Sequence, residues 1–357
     1  MASLTAAWLT RARFVSLGLA SLFLCACGSL RYYGQAVRGQ SELLIQQRAV
    51  TRVIQDPATP PPLAARLQLA LQARRFATQQ LALPDNRSYT RYVQLHRPYV
   101  VWNVFATPRY SVDAVQHCFP IAGCVGYRGW FKESAARADA ARLRARGDDV
   151  WVGGVSAYST LGWFADPIVS SMLGGSDDEL SSTIFHELAH QLIYVKGDTA
   201  FNESFATFVQ MEGLRQWRQS RELPVQDDHA RTLDDDFTRL VLDLRKRLEA
   251  LYASRVDEIS MAAGKQREID AFRARFHQWQ QRERPATQRF QAWVAQPINN
   301  ARLLPFGLYD QWTPAFTALF RRAGGHWAVF YASVRTLARQ PVAQRDSALQ
   351  ALLDGTD

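Results

Sequence analysis

Residues 184–209 read IFHELAHQLIYVKGDTAFNESFATFV. His186, Glu187 and His190 form H-E-x-x-H. On a helix, positions i and i+4 share a face, so both imidazoles reach one metal ion. Glu187 stands beside that pair, where a carboxylate can take a proton from a water on the metal. Lys196-Gly197-Asp198 reads as a helix stop: Gly197 suits a left-handed C′ position, and Lys196 suits the negative end of the helix dipole. Asp198 or Thr199 then caps a second helix through Asn202, Glu203 and Phe205. His190 lies seven residues before Gly197 and Glu203 six after it. With the chain folded back at Gly197, both stand roughly 10 Å from the turn, level with each other. Glu203 is thus expected as the third ligand, with Asn202 supporting the site from behind. Two His, one Glu and a fourth position open to water are the ligand set of catalytic zinc.

H-E-x-x-H followed by Asn202-Glu203 resembles the gluzincin metallopeptidases, and Asn202-Glu203-Ser204-Phe205-Ala206 is similar to the N-E-x-F-A element of alanyl-type zinc aminopeptidases. Twelve residues separate His190 from Glu203, fewer than in the best-known gluzincins, so the hairpin here is tighter. The wider pattern resembles a bacterial lipoprotein family described as predicted aminopeptidases. That likeness covers Tyr32-Tyr33-x-Gln35-Ala36, Cys118-Phe119-Pro120-Ile121-Ala122-Gly123-Cys124, the metal hairpin and Asn299-Asn300-Ala301-Arg302-Leu303. It implies a zinc cofactor, a peptide substrate and aminopeptidase action. Endopeptidase action and a non-catalytic scaffold with structural zinc stand as alternatives.

Composition bounds the rest. Hydrophobic residues make up 47% and charged residues 21%, a globular balance. The net charge of +9 forms no long basic block and accompanies no nucleic-acid motif, so no nucleic-acid partner is expected. Residues 1–26 read as a leader, with Arg11 and Arg13 ahead of an apolar run too short to span a bilayer comfortably. Leu24-Cys25-Ala26-Cys27 resembles the bacterial lipobox. The resemblance implies cleavage after Ala26 and a lipid anchor on Cys27, placing the chain in the envelope at the periplasmic face of the outer membrane. An ordinary cleaved signal and an uncleaved anchor are the alternatives. Of the four cysteines, Cys118 and Cys124 remain in the body of the chain. An oxidising compartment favours a disulfide between them over free thiols or a metal pair.

The expected fold is α+β and mostly helical: a zincin-like catalytic core with a small sheet, the H-E-x-x-H hairpin and a long helical hairpin insertion. The expected parts are 1–26 leader, 27–227 helices, sheet and metal core, 228–290 hairpin, and 291–357 a helical continuation. Tyr92–Leu95, Tyr99–Phe105, 123–131 and Asp149–Val155 are β-branched or aromatic runs expected in one sheet, with Ala135–Arg146 helical and capped by Ser134. Val152–Trp163 is the candidate edge for pairing with a peptide. Asp177, Asp178 and Glu179 are read as preceding the metal helix, with capping by Ser181, Ser182 or Thr183; Glu179 has a lesser reading as the anchor for a substrate amine. The hairpin is expected to break at Ala262–Gly264. Tyr309 and Arg302 are the downstream candidates for holding a developing oxyanion.

Overall fold

The computed structural model describes residues 32–119, 123–224, 228–283, 288, 290–306 and 311–355. The expected leader, Cys27 and Tyr309 lie outside the described residues. The chain divides into two compact units, the first ending at Gln47 and the second being Arg48–Asp357. In the first, residues 32–45 form helix α1.

The second unit runs β1 (Arg48–Ala49), α2 (Val50–Gln55), α3 (Pro61–Gln79), β2 (Arg91–Val93), β3 (Val101–Thr107), β4 (His117–Phe119), β5 (Gly123–Val125), β6 (Tyr127–Trp130), α4 (Glu133–Arg144), β7 (Asp149–Val155) and β8 (Ile168–Val169). It continues α5 (Asp177–Leu192), α6 (Thr199–Ser220), α7 (Asp228–Tyr252), α8 (Glu258–Arg282), α9 (Gln291–Ala295), α10 (Asn300–Leu303), α11 (Thr313–Arg322), α12 (Trp327–Ala338) and α13 (Val342–Asp354). The fold is thus mostly helical with small sheets.

Among the described residues the strands form three small sheets rather than one. β2 lies between β1 and β8, so the Tyr92 run leaves the sheet expected for it. β3 is the centre of the order β6-β3-β7, antiparallel to both neighbours. β7 is therefore an edge strand, but it ends at Val155; residues 156–163 leave the strand as a loop. Helix α4 begins at Glu133, and Lys132 rather than Ser134 stands at its N-cap.

Two expected boundaries move for identifiable reasons. Helix α5 starts at Asp177, so the acidic run forms its first turn instead of preceding it. Ser176 accepts a hydrogen bond from the Glu179 N–H (3.1 Å), and the Glu179 carboxylate accepts one from the Ser176 N–H (2.6 Å). This reciprocal capping box satisfies two orphan donors and occupies Glu179 structurally. Arg66 of α3 donates to the Gly175 and Ser176 carbonyls and pairs with Asp177, seating that helix start. The α7–α8 hairpin breaks at residues 253–257, where Asp257 caps α8 through the Ser260 N–H (2.9 Å). Gly264 is interior to α8: a Cβ there would lie 2.9 Å from the Leu251 methyls, so this glycine permits helix contact and breaks nothing.

Aromatic packing fixes the central hairpin. Phe185 of α5 meets Phe76 of α3 and Trp217 of α6. Phe205 and Phe208 of α6 pack on Phe316, Phe320, Phe330 and Tyr331 from α11 and α12. The pair α5–α6 is thereby held from both flanks. The Asn299-Asn300 pair also has a structural role. Asn299 caps α10, and Asn300 accepts from the Tyr252 hydroxyl while donating to the Arg109 and Ser111 carbonyls. Arg302 stacks 4.3 Å over Trp293 and donates to Pro297 O (3.1 Å).

Candidate metal centre

Helix α5 presents His186 and His190 on one face, and α6 returns with Glu203 facing them. The two Nε2 atoms are 3.0 Å apart. Glu203 Oε2 lies 3.4 Å from His186 Nε2 and 3.6 Å from His190 Nε2. A tetrahedral ion with ligands near 2.0–2.1 Å sets its ligand atoms about 3.3 Å apart. The three observed separations match three corners of such a tetrahedron, so the donor set fits a metal ion. Among the described residues, this is the one cluster of three or more His, Cys, Asp or Glu side chains that could hold one.

The electrostatics agree with a carboxylate ligand. Burial alone would raise the Glu203 acid, but attraction by His190 and hydrogen bonding with both imidazoles hold it well below the usual carboxylate range. His186 responds in the opposite sense: burial works against its charge, and Glu203 and Glu187 together outweigh burial and raise it.

Three further features support the cluster. First, His186 Nδ1 is 2.9 Å from Gln210 Oε1. An amide oxygen only accepts, so Nδ1 carries the proton and Nε2 presents its lone pair. Gln210 is seven residues beyond Glu203 on the same helix face, a spacing from which it could have been found. Gln210→Leu is expected to weaken metal binding about 10- to 100-fold, measured by chelator competition. Second, Tyr194 follows His190 by four residues, just past the end of α5, its ring 6.3 Å from the imidazole; burial, then Glu203, raises its phenol. Third, Asp198 caps α6 through the Phe201 N–H (3.0 Å) and pairs with buried Arg345 from α13. Arg345 Nε donates to Asp198 at 2.9 Å, and Nη1 donates to Gln340 O at 2.8 Å.

Asn202 does its work on the turn. Its Oδ1 accepts from the Val195 N–H, and its Nδ2 donates to the Val195 carbonyl, both at 2.7 Å. The side chain mimics a backbone partner and closes the loop between the two helices. Glu187 is half-buried on α5, and its charge is felt by the buried Tyr89 and Asp166 beyond the cluster.

The disulfide Cys118–Cys124 is present and bridges the paired strands β4 and β5. Its neighbour Gly123 touches the turn of the metal hairpin. A Cβ on Gly123 would lie 2.6 Å from Gly197 N and 2.7 Å from the Lys196 side chain. Both glycines are left-handed, at φ +79 and +80, so neither site accommodates a side chain cheaply. The crosslinked strands therefore buttress the turn between the two His and the Glu. Closing so short a loop contributes about 2 kcal/mol in the chain-entropy picture. The Cys118→Ser/Cys124→Ser protein is expected to melt lower and to surrender a bound metal ion to a chelator more readily than the parent.

Residues 31–349 match the family model described as "Putative aminopeptidase". The chain belongs to this family. No curated protein matches it, and no solved structure does. Membership in the aminopeptidase family points to peptide hydrolysis, and the match spans the whole metal hairpin together with the elements that buttress it.

Proposed function

We propose that this chain is a gluzincin-like zinc peptidase that removes residues from peptide N-termini. The observation that carries the reading is the tetrahedral spacing of His186, His190 and Glu203 on adjoining helices, with Glu187 next to His186. When bound, zinc supplies Lewis acidity, making a water acidic near neutral pH and polarising a peptide carbonyl. Two neutral imidazoles and one carboxylate offset a single positive charge, which leaves the site net cationic toward a carbonyl oxygen. Glu187 takes the proton from the attacking water and delivers it to the nitrogen of the leaving amine as the C–N bond breaks. Gln210 keeps His186 in the ligating tautomer, and Asn202 holds the turn that sets Glu203 opposite the imidazoles.

Metal analysis of the purified protein, combined with a peptide-library digest read for cleavage position, tests this. One zinc per chain with stepwise loss from N-termini supports it. Internal cuts favour the endopeptidase; zinc without cleavage favours a structural site. We further propose, from the lipobox resemblance of Leu24-Cys25-Ala26-Cys27, that a lipid anchor at Cys27 holds the mature chain in the cell envelope, at the periplasmic face of the outer membrane. Cys27→Ser is expected to move the protein from the detergent-extracted membrane fraction to the soluble one. No helix of the described residues is long and apolar enough to cross a membrane.

A further inference from the structure

Beside the metal helix lies a loop whose construction the zinc site does not explain. Asp166 is 1% exposed, yet its carboxylate meets only neutral donors in the following contacts. Oδ1 accepts from the Thr160 hydroxyl (2.7 Å); Oδ2 accepts from the Thr160 N–H (3.0 Å), the Ser159 hydroxyl (3.2 Å) and Gln191 Nε2 (3.0 Å). Its backbone is tied down as well: Asp166 O accepts from the Tyr89 N–H (2.7 Å), and Asp166 N donates to Ser88 Oγ (3.2 Å). One carboxylate thus fastens the loop at Ser159 and Thr160 to the metal helix at Gln191. Gln191 is four residues after Glu187, so loop and general base share one helix face.

The fastened loop carries its apolar groups outward. Trp163 is 66% exposed and Phe164 48%. Leu161 and Gly162 are both left-handed, at φ +55 and +82. A leucine in that region is a backbone outlier of the kind that gathers at functional sites. Thr160 pins the bend: while it donates to Asp166, its Oγ1 accepts from the Phe164 N–H (3.0 Å). A Cβ on Gly162 would lie 3.7 Å from Gln191 Cβ, so the tip rests on the metal helix itself. Helix spacing sets Gln191 about 6 Å from Glu187, which leaves Trp163 within roughly three or four extended peptide residues of the general base, at about 3.3 Å each. Two adjacent exposed aromatics on a fastened loop at that distance form an apolar contact for an extended chain.

We propose that this loop selects the substrate: Trp163 and Phe164 receive an aromatic or large apolar side chain of the bound peptide, and Asp166 is the positioning residue that holds them against the metal helix. This rests on the peptidase reading and adds the substrate class to it. The test uses a set of hexapeptides in which a single Phe is moved through a glycine-rich background. At one position, Phe is expected to raise kcat/KM about ten-fold or more over Gly. In Trp163→Ala/Phe164→Ala, whose changes are on exposed side chains, that ratio should fall toward one while zinc content stays at the parent value. Asp166→Asn, or Thr160→Val where the asparagine protein folds poorly, should lower the same ratio by releasing the loop. A second arm measures binding of the same peptides to the Glu187→Gln protein by calorimetry, which needs no turnover. Hydrolysis with no Phe preference, or a preference that survives the double variant, overturns the proposal and leaves the peptidase reading standing. Preferential binding that depends on Trp163 and Phe164, without hydrolysis by the parent protein, upholds the apolar site and overturns the peptidase.

Discussion

Glu187→Gln is expected to retain one zinc per chain while kcat falls about a thousand-fold. Gln has the size and shape of Glu but cannot take up a proton at neutral pH, so the change removes the base and little else. Positioned proton transfer contributes about 10²- to 10⁴-fold to such reactions. Glu187 is outside the triad of atoms that lie within 4.8 Å of one another, so the cluster keeps all three donors. The measurement is paired: zinc content by elemental analysis and turnover on a peptide the parent cleaves. Unchanged turnover would sink the general-base assignment. Zinc lost along with activity would recast Glu187 as part of the metal-holding structure.

Arg345→Ala is expected to cost about 3–5 kcal/mol of stability, the range for breaking a buried ion pair from one side. Arg345 is 1% exposed and its partner Asp198 is largely covered, so the abandoned carboxylate would face little water. The guanidinium also stacks 5.2 Å from the Phe201 ring, a contact that an alanine forfeits. Because Asp198 heads α6, the loss falls on the helix that carries Glu203. Denaturant unfolding monitored by circular dichroism gives the number. Asp198→Ser keeps an N-cap oxygen for the Phe201 N–H while removing the stranded charge. Adding it to Arg345→Ala should therefore restore part of the stability. No recovery would show that the arginine acts through its packing and its bond to Gln340 O rather than through Asp198.

Much of the centre was legible as spacing. H-E-x-x-H needs only the helix period, and the level placement of His190 and Glu203 follows from counting outward from Gly197. The Asp198 cap was likewise visible, since a short acid before an apolar helix start has a local mechanism. The capping box Ser176-x-x-Glu179 was equally local, yet the polar run Ser181-Ser182-Thr183 competed with it. Those residues lie inside α5, where Ser181 and Thr183 bond back to carbonyls four residues earlier. The break in the charged hairpin was misplaced because Gly264 reads as punctuation, whereas Leu251 across the hairpin requires it small.

Chain order and residue type were enough to specify the metal-ready hairpin, because helices impose their period locally and a two-residue error in an element's end does not move a ligand to another face. What braces that hairpin came from folding alone. Arg345 is 147 residues from Asp198, and Gly123 meets Gly197 through a strand pair crosslinked far upstream. Asp166 is 25 residues before the glutamine it holds. Such contacts arise from how packed layers meet, and no periodicity along the chain encodes them. The three donors are therefore written in sequence spacing, while the contacts that brace them, and the aromatic loop beside them, belong to long-range packing.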